Sequence, residues 1–286
     1  MKNVEIEIFQ IARTANDETE MRKWLDRVGA TEYPVPEGLS GSEQVIGHAA
    51  KRCYMSFEPG LNPNVTRVRK DWHQYFENIG NSGHGSVMEH GSYSYAIEGL
   101  TRVGTAELNR HRAGVAISEG SLRYIRFDDI PWWMPNTIRL TEEEEAYFKT
   151  RLGTAADTVN AEIVQSIHLK LDEQAIFNET FQFCQDQYVR LCDLHGINDE
   201  KTFAKKKIMT SRFRRIIPMG VSIGGVWTFN LRALRHVIAL RTTEHAEEEI
   251  AYLFSLIAKD IIEREPRIMC DFEETDHGWV PKNAKV

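Results

Sequence analysis

A stripe of apolar residues near the carboxyl end of the chain sets the strongest constraint on its fold. Ile250, Leu253, Phe254, Ile257 and Ile261 recur three or four positions apart, which places their side chains on one face of an α-helix. We predict one long helix from about residue 230 to residue 264 with this stripe buried. Such a face must be covered by another layer of structure, so a packed core is expected.

Helices are predicted in several other parts of the chain. The segments are 16–29, two helices within 41–80 on either side of a turn at 58–63, 100–112, 174–194 and 202–215. Thr141 and Glu144 have the spacing of a capping box and predict another helix start. After it, helical spacing relates Leu152, Ala155, Val159, Ile163 and Ile167.

Strands are expected mainly in the first half. Val4, Ile6 and Ile8 alternate with polar residues, 92–97 alternates small and large residues, and 122–127 is predicted to be extended. Because helices dominate and strands are few, the predicted fold class is mixed α/β (α+β), a single helix-rich domain with a central sheet. The predicted parts are an amino-terminal extension (1–40), the main domain (41–275) and a carboxyl-terminal tail (276–286).

Composition narrows the possible functions. The chain has 35 Lys and Arg against 42 Asp and Glu, a formal net charge of −7, so a general nucleic-acid-binding role is not expected. We find no signal peptide pattern, no apolar run long enough for a bilayer and no cysteine pair with metal-ligand spacing. A cytoplasmic protein without a metal site or membrane contact is therefore expected.

Arginine-rich clusters carry the densest chemical information. The segment 107–124 contains Arg110, Arg112 and Arg123 together with His111 and several serine, glutamate and glycine residues. Guanidinium groups bind phosphates through paired N–H donors, and small residues let a ligand approach the backbone. This composition fits a phosphate site, but it also fits a solvated helix end with internal ion pairs.

A second set of arginines favours the phosphate interpretation. Its members are Arg212, Arg214, Arg215, Arg232, Arg235 and Arg241, with Asn230 and His236 among them. At 100° per residue, Asn230 and Arg241 share one helix face, whereas Arg232 and His236 lie nearly opposite. The helix is therefore expected either to lie between two subsites or to expose one of the two sets.

No nucleophile motif accompanies these clusters. The chain has no GxSxG, P-loop, HExxH or GxGxxG sequence, and no cysteine lies beside the arginines. An enzyme of this composition would rely on a cofactor for the difficult chemical step.

The ordered motifs resemble those of the flavin-dependent thymidylate synthases. Arg110-His111-Arg112 is followed after eight residues by Ser121, and then by Arg123-Tyr124. Four further blocks resemble the family in the same order, Cys53-Tyr54, 84–90 (HGSVMEH), 214–218 (RRIIP) and 230–246. The similarity spans about residues 45–272, and five ordered blocks are much more specific than the first motif alone.

The resemblance implies an enzyme that methylates dUMP to dTMP, in a homotetramer with active sites at subunit interfaces. It implies FAD as cofactor, with NADPH and 5,10-methylenetetrahydrofolate as co-substrates. Implied FAD contacts are Ser86, Arg110, His111, Arg112, Glu119, Asn230, Arg232 and His236. Implied dUMP contacts are Glu107, Arg110, Gly120, Ser121, Leu122, Arg123, Arg214 and Arg241. Of these, Arg241 would act in catalysis by polarising the uracil ring.

Some positions depart from the family pattern. Position 107 is Glu where some members have Gln, and Ser211 stands three residues before Arg214, where other members have a polar or charged residue. The eight-residue spacing is the longer form of the motif, and residues 1–40 and 131–200 match only loosely.

Two other functions remain open from the sequence. A flavin-dependent pyrimidine hydroxymethylase would need no residue change that we can identify. A nucleotide- or single-stranded-RNA-binding protein could use the arginines with Tyr124, Trp132 and Trp133 as stacking platforms. The negative net charge weighs against the latter.

Overall fold

The computed structural model describes residues 2–151, 161–284 and 286. Its helices are α1 (Glu18–Arg27), α2 (Gly41–Tyr54), α3 (Trp72–Asn81), α4 (Arg102–Leu108), α5 (Glu142–Arg151), α6 (Ala161–Leu194), α7 (Phe203–Phe213), α8 (Leu231–Arg241) and α9 (Glu248–Arg264). Its strands are β1 (Lys2–Asn3), β2 (Glu7–Arg13), β3 (Ser92–Glu98), β4 (Val115–Glu119), β5 (Pro131–Trp132), β6 (Gly225–Asn230), β7 (Phe272–Thr275) and β8 (Gly278–Pro281). The mixed α/β class is confirmed.

The chain forms two compact units. The first comprises Met1–Glu7, Glu98–Ala106 and Glu119–Gly224, and the second Ile8–Ile97, Glu107–Ser118 and Gly225–Val286. In the part of the chain that the structure describes, no helix has both the length and the apolar character needed to cross a membrane.

The core of the first unit is built on one side of α6. Trp132 stacks on Phe181 with ring centroids 5.0 Å apart, and Tyr188 meets Phe127 and Phe213 edge-to-face. Burial of several aromatic rings contributes on the order of 2 kcal/mol each. This packing holds Phe127, Trp132 and the last residue of α7, Phe213, against α6.

The second unit contains a four-stranded sheet with the strand order β2-β3-β6-β4. Strands β3 and β6 are antiparallel, and Tyr93 pairs with Phe229 and Tyr95 with Trp227. These four rings are fully buried, which is the alternation expected of a sheet with one face on a core. The strand predicted at 92–97 is confirmed.

The apolar stripe from Ile250 to Ile261 is buried as predicted, but the prediction of a single long helix is wrong. All five residues of the stripe are buried on α9. Helix α8 ends at Arg241, and a new helix begins after Glu247, whose side-chain Oε2 accepts hydrogen bonds from the amides of Glu249 and Ile250. A side chain that satisfies free amides starts a helix, so Glu247 separates the two.

Other predictions need correction at their boundaries. Residues 122–127 form a turn and bend rather than an extended segment, because the amides of Tyr124 and Ile125 donate to the carbonyl of Ser121. The helix predicted over 100–112 ends at Leu108, and strand β2 begins at Glu7 rather than at Val4.

The polar capping signal at Thr141 is confirmed. The Thr141 amide donates to Glu144 at 2.8 Å, and the Glu144 amide donates to the Thr141 hydroxyl at 3.2 Å. Downstream, Ile163 and Ile167 lie on α6, which also contains the predicted 174–194 helix. Leu152, Ala155 and Val159 lie outside the described residues.

Candidate active site

The arginine-histidine-arginine motif occupies a turn in the second unit. The chain leaves α4 at Leu108, and the amides of Arg110 and His111 donate to the carbonyls of Glu107 and Leu108. Gly114 then adopts a φ of +71°, a left-handed conformation that favours glycine. Its carbonyl accepts the Asn230 amide at 2.8 Å. The motif is thereby attached to the amino end of α8.

Arg241 is the centre of a polar cluster at the other end of α8. Its Nε donates to Nε2 of His111 at 2.8 Å, and its NH1 donates to Glu107 Oε2 at 2.9 Å. Arg110 approaches the same carboxylate at 3.3 Å. Two guanidinium groups thus share one carboxylate, which leaves a net positive charge for an anionic or electron-rich ligand.

His111 is held in its neutral form. Partial burial lowers its pKa first, and the positive charge of Arg241 lowers the pKa further, while Glu107 acts in the opposite direction. The Arg241 hydrogen bond requires a lone pair on Nε2, so the ring proton lies on Nδ1. The His236 ring lies edge-on to it, with centroids 6.5 Å apart.

The first turn of α8 carries two more predicted cofactor residues. Asn230 caps the helix by accepting the Ala233 amide at 2.8 Å. Arg232 pairs with Glu89 at 2.6 Å, and Ser86 is exposed on the same short 3-10 helix (Gly85–His90) as Glu89. Arg112 is exposed and makes no side-chain hydrogen bond with any described residue.

The prediction that α8 carries its polar residues on two nearly opposite faces is confirmed in part. Leu234 and Val237, which share the face of Asn230 and Arg241, are buried, while His236 is exposed. Arg235, which the sequence analysis grouped with the ligand-binding arginines, is instead buried and bonded through two nitrogens to Asp271 at 2.8 and 2.9 Å. Its role within the fold is structural.

The first unit holds the remaining predicted residues. Glu119 is paired with Arg102. The Gly120 amide donates to the Gly224 carbonyl at 3.1 Å, and a Cβ at position 120 would lie 2.6 Å from the carbonyl oxygen of Ile223. Glycine is therefore required for this close backbone approach.

Ser121, Leu122 and Arg123 follow in a tight turn. The Arg123 amide donates to the Ser121 hydroxyl at 3.3 Å, and the Arg123 carbonyl accepts the Thr210 hydroxyl of α7 at 2.5 Å. Arg214 follows the last residue of α7. Within the described residues, neither the Arg123 nor the Arg214 guanidinium forms a hydrogen bond or ion pair, so both can bind an anion.

A cavity in the second unit contains residues that the sequence analysis did not select. It has a volume of about 350 Å³ and is lined by Lys51, Arg67, Arg69, Tyr54 and His84, among others. The Tyr54 and His84 rings meet edge-on at 5.7 Å. Both belong to blocks that resemble the family, whereas Lys51, Arg67 and Arg69 lack any motif that could have identified them.

Lys51 is almost fully buried in the wall of this cavity. Its ammonium lies 4.4 Å from the centre of the Tyr75 ring and 5.4 Å from that of Trp72. Burial lowers the pKa of Lys51 to about 8, and the charge of Arg69 adds to the effect. The aromatic rings partly compensate the buried cation.

A family model described as "Thymidylate synthase complementing protein" matches residues 37–267 of the chain. The chain belongs to this family. The match includes every residue that the sequence analysis assigned to a site, from Ser86 to Arg241.

Curated relatives match this chain over most of their own length. A flavin-dependent thymidylate synthase from Mycobacterium sp. (strain KMS) is 28% identical over 254 residues, covering 86% of this chain and 88% of that protein. The enzyme of the same name from Mycobacterium tuberculosis (strain ATCC 25177 / H37Ra) is 26% identical over 268 residues, covering 93% of each. The chain is thus an enzyme of this family.

Solved structures share the fold. The UMP/dUMP methylase PolB from Streptomyces cacaoi, bound with 5-Br UMP, superposes with a TM-score of 0.58 at 16% identity, covering 94% of each chain. Thymidylate Synthase X from Helicobacter pylori, with FAD and dUMP, superposes with a TM-score of 0.50 at 18% identity, covering 92% of this chain and 97% of the other.

Proposed function

We propose that this family member methylates the uracil ring of dUMP to give dTMP in thymidylate biosynthesis. The carbon comes from 5,10-methylenetetrahydrofolate, and NADPH supplies the electrons through FAD. The observation that carries the proposal is the family match over 37–267, which contains both predicted ligand sets. The polar cluster of Arg241, Glu107 and His111 supports it, because two hydrogen bonds fix the Arg241 guanidinium and leave its other N–H groups available to a ligand.

FAD is assigned to Ser86, Arg110, His111, Arg112, Glu119, Asn230, Arg232 and His236. The donors fit this group, because Arg112 is exposed and unpaired among the described residues and the free amides of the α8 amino end favour a phosphate. Gly114 also brings the backbone of the motif close to the Asn230 cap. Reduced FAD, when bound, supplies the hydride that completes the new methyl group.

The dUMP phosphate is assigned to Ser121, Arg123 and Arg214, with Gly120 and Leu122 providing backbone close to it. The support lies in the first unit, where both guanidinium groups are available to an anion. A guanidinium donates two parallel hydrogen bonds to a phosphate, which fixes orientation as well as affinity. The uracil ring is assigned to Glu107, Arg110 and Arg241.

Arg241 is the proposed catalytic residue. A guanidinium has five N–H donors, and Arg241 uses one toward His111 and one toward Glu107. The remaining three point to no described partner and can donate to a carbonyl oxygen of the uracil ring. Such donation stabilises the negative charge that develops as C5 attacks the carbon donor. Glu107 and His111 hold the guanidinium in a fixed direction.

The cavity lined by Lys51, Arg67 and Arg69 is a candidate for the anionic part of a co-substrate. Folate carries carboxylates and NADPH carries phosphates, and either group would be attracted to these cations.

We further propose a cytoplasmic homotetramer with active sites at subunit interfaces. We also propose that the chain consists of an amino-terminal extension (1–40), a main domain (41–275) and a carboxyl-terminal tail (276–286).

The deciding experiment is mass analysis of the product from dUMP, incubated anaerobically with FAD, NADPH and methylenetetrahydrofolate. A product heavier by one methylene supports the proposal. A hydroxymethyl product would replace methylation with the alternative reaction, and unreacted dUMP would contradict both. UMP is tested in parallel, because a protein of the same fold is named a UMP/dUMP methylase. Arg241→Ala serves as the inactive control.

A further inference from the structure

One buried hydroxyl connects the two segments that carry the proposed phosphate arginines. Thr210 lies on α7 with 3% of its surface exposed, and its Oγ1 donates to the carbonyl oxygen of Arg123 at 2.5 Å. The two residues are 87 positions apart in the sequence, so this hydrogen bond is a tertiary contact. It attaches the backbone of the turn at Arg123 to α7.

The Thr210 hydroxyl has two other acceptors within reach. Its Oγ1 also lies 3.1 Å from the carbonyl oxygen of Lys206 and 3.2 Å from that of Lys207. A threonine within a helix can donate to such a carbonyl of its own helix. Because a hydroxyl has only one hydrogen to donate, we assign that hydrogen to the shortest of the three contacts, the one to Arg123.

The same helix leads from Thr210 to Arg214. Arg214 lies four residues after Thr210, and its backbone keeps helical dihedral angles, with φ −55° and ψ −14°. Four helical residues span about 6 Å along the axis, so the separation of these two backbones is fixed. The position of Arg123 relative to Arg214 therefore depends on the Thr210 hydroxyl.

Two further contacts join the turn to α7, and both involve exposed side chains. The rings of Tyr124 and Phe203 are nearly parallel, with centroids 5.9 Å apart. The Lys207 ammonium lies 4.7 Å from the centre of the Tyr124 ring. Tyr124 and Phe203 are 51% and 65% exposed, so water can replace these contacts more easily than the buried one from Thr210.

We propose that Thr210 is a positioning residue for the phosphate of the nucleotide substrate. Its hydroxyl holds the turn of Ser121 and Arg123 at the distance from Arg214 that lets both guanidinium groups bind one phosphate. Such paired donation depends on geometry, and a displacement of about 1 Å can cost much of its benefit. The inference rests on the proposed assignment of the dUMP phosphate to these residues.

The test compares two substitutions of Thr210 in the FAD-loaded protein. Thr210→Val removes the hydroxyl that donates to the Arg123 carbonyl, and Thr210→Ser retains it. The dissociation constant of dUMP is measured by titration calorimetry, which does not depend on the reaction product. The KM for dUMP, kcat and the flavin content are measured on the same preparations.

Thr210→Val should raise both the Kd and the KM for dUMP about ten-fold or more, because the two guanidinium groups no longer meet one phosphate. Its kcat at saturating dUMP and its flavin content should stay within about two-fold of wild type. Thr210→Ser should bind dUMP within about three-fold of wild type. Thr202→Val is the matched control, because Thr202 precedes the same helix but its side chain caps no amide, and its Kd should be unchanged.

A purely structural role of Thr210 would give a different result. It would lower kcat and flavin content while the KM for dUMP stayed unchanged, and this outcome would overturn the proposal. Equal losses in Thr210→Val and Thr210→Ser would also overturn it. If Thr210→Val does not fold, Thr210→Cys takes its place, since a thiol is a weak donor, and its Kd should rise at least about three-fold.

The wild-type protein separates this inference from the proposed function. If wild type binds dUMP and Thr210→Val binds it equally well, only the role of Thr210 is wrong. If wild type binds no dUMP, the assignment of the phosphate site fails and the role of Thr210 fails with it.

Discussion

Arg241 donates its Nε hydrogen to His111 at 2.8 Å, and this contact links the end of α8 to the motif that follows α4. It also determines the ring tautomer, since Nε2 of His111 must carry a lone pair to accept it. Glu107 completes the cluster at 2.9 Å from Arg241. Two residues that are far from Arg241 in sequence thereby orient its guanidinium, and the proposed chemistry depends on that orientation.

Removal of the Arg241 guanidinium should abolish turnover without loss of flavin. Arg241→Ala is expected to lower kcat about 10²–10³-fold, as observed when one donor to a developing anion is removed. Bound FAD, measured from the visible absorbance of the purified protein, should stay near the wild-type level, because Arg241 is not among the assigned FAD contacts.

Arg264→Ala provides the matched control, because Arg264 forms an ion pair with Asp260, which lies on the same helix, α9. It should retain wild-type turnover. Normal activity in Arg241→Ala would remove this residue from the dUMP site, and loss of flavin would reassign it to the cofactor.

Two substitutions at position 107 distinguish the hydrogen bond that Glu107 accepts from Arg241 from the negative charge of its carboxylate. Glu107→Gln retains an acceptor oxygen for Arg241, so kcat/KM for dUMP should fall about ten-fold or less. Glu107→Ala leaves Arg241 without this anchor and should lose at least about ten-fold more. Steady-state kinetics with dUMP tests both, and equal losses in the two variants would assign the role to the charge alone.

Acid should destabilise the chain partly through His48. Its Nδ1 donates to the Gln44 carbonyl at 2.6 Å, and its Nε2 is buried with no hydrogen-bond partner among the described residues. Burial lowers the pKa of His48 below 6.5. The unfolded chain then binds a proton more readily, so the free energy of unfolding falls as pH falls through 6.5 toward the folded pKa.

His48→Leu should remove this part of the pH dependence. Urea unfolding of wild type and variant is compared between about pH 7 and about pH 5, where one proton contributes at most about 1.4 kcal/mol per pH unit. The exposed His73→Leu on α3 is the control and should keep the wild-type slope. An unchanged slope in His48→Leu would show that other groups, such as His111, dominate the acid response.

The sequence was informative where one local signal determines the structure. The apolar repeat of α9 and the Thr141 capping box predicted their helices, because spacing and capping act over a few residues. The break between α8 and α9 was missed, since Glu247 gives no strong boundary signal in a run that is apolar on both sides. The 122–127 turn was missed because its large apolar and aromatic residues, such as Ile125 and Phe127, are also common in strands.

The site residues also divide into those that a local motif identified and those that only tertiary packing brings together. The motif around Arg110 identified the cluster, and its resemblance to a family supplied the roles. The pairing of Arg241 with Glu107 and His111 depends on tertiary packing, so no local pattern could reveal it. The same holds for Lys51, whose aromatic surroundings come from residues 33, 72 and 75.

The buried pair of Arg235 and Asp271 should be needed for stability rather than turnover. Arg235 is 3% exposed and also donates to the Ile268 carbonyl at 2.8 Å. Burial alone would raise the pKa of Asp271, but the hydrogen bonds and charge of Arg235 hold that pKa below its usual value. Arg235→Met leaves a buried carboxylate without its partner and should cost about 3–5 kcal/mol in the free energy of unfolding. Urea unfolding at neutral pH measures this loss.

The double variant Arg235→Met/Asp271→Leu should recover about half of the lost free energy of unfolding or more, since an apolar pair avoids the unpaired charge. If Arg235→Met instead unfolds like wild type but loses bound flavin, Arg235 belongs to the ligand site after all, and the structural role assigned to it is wrong.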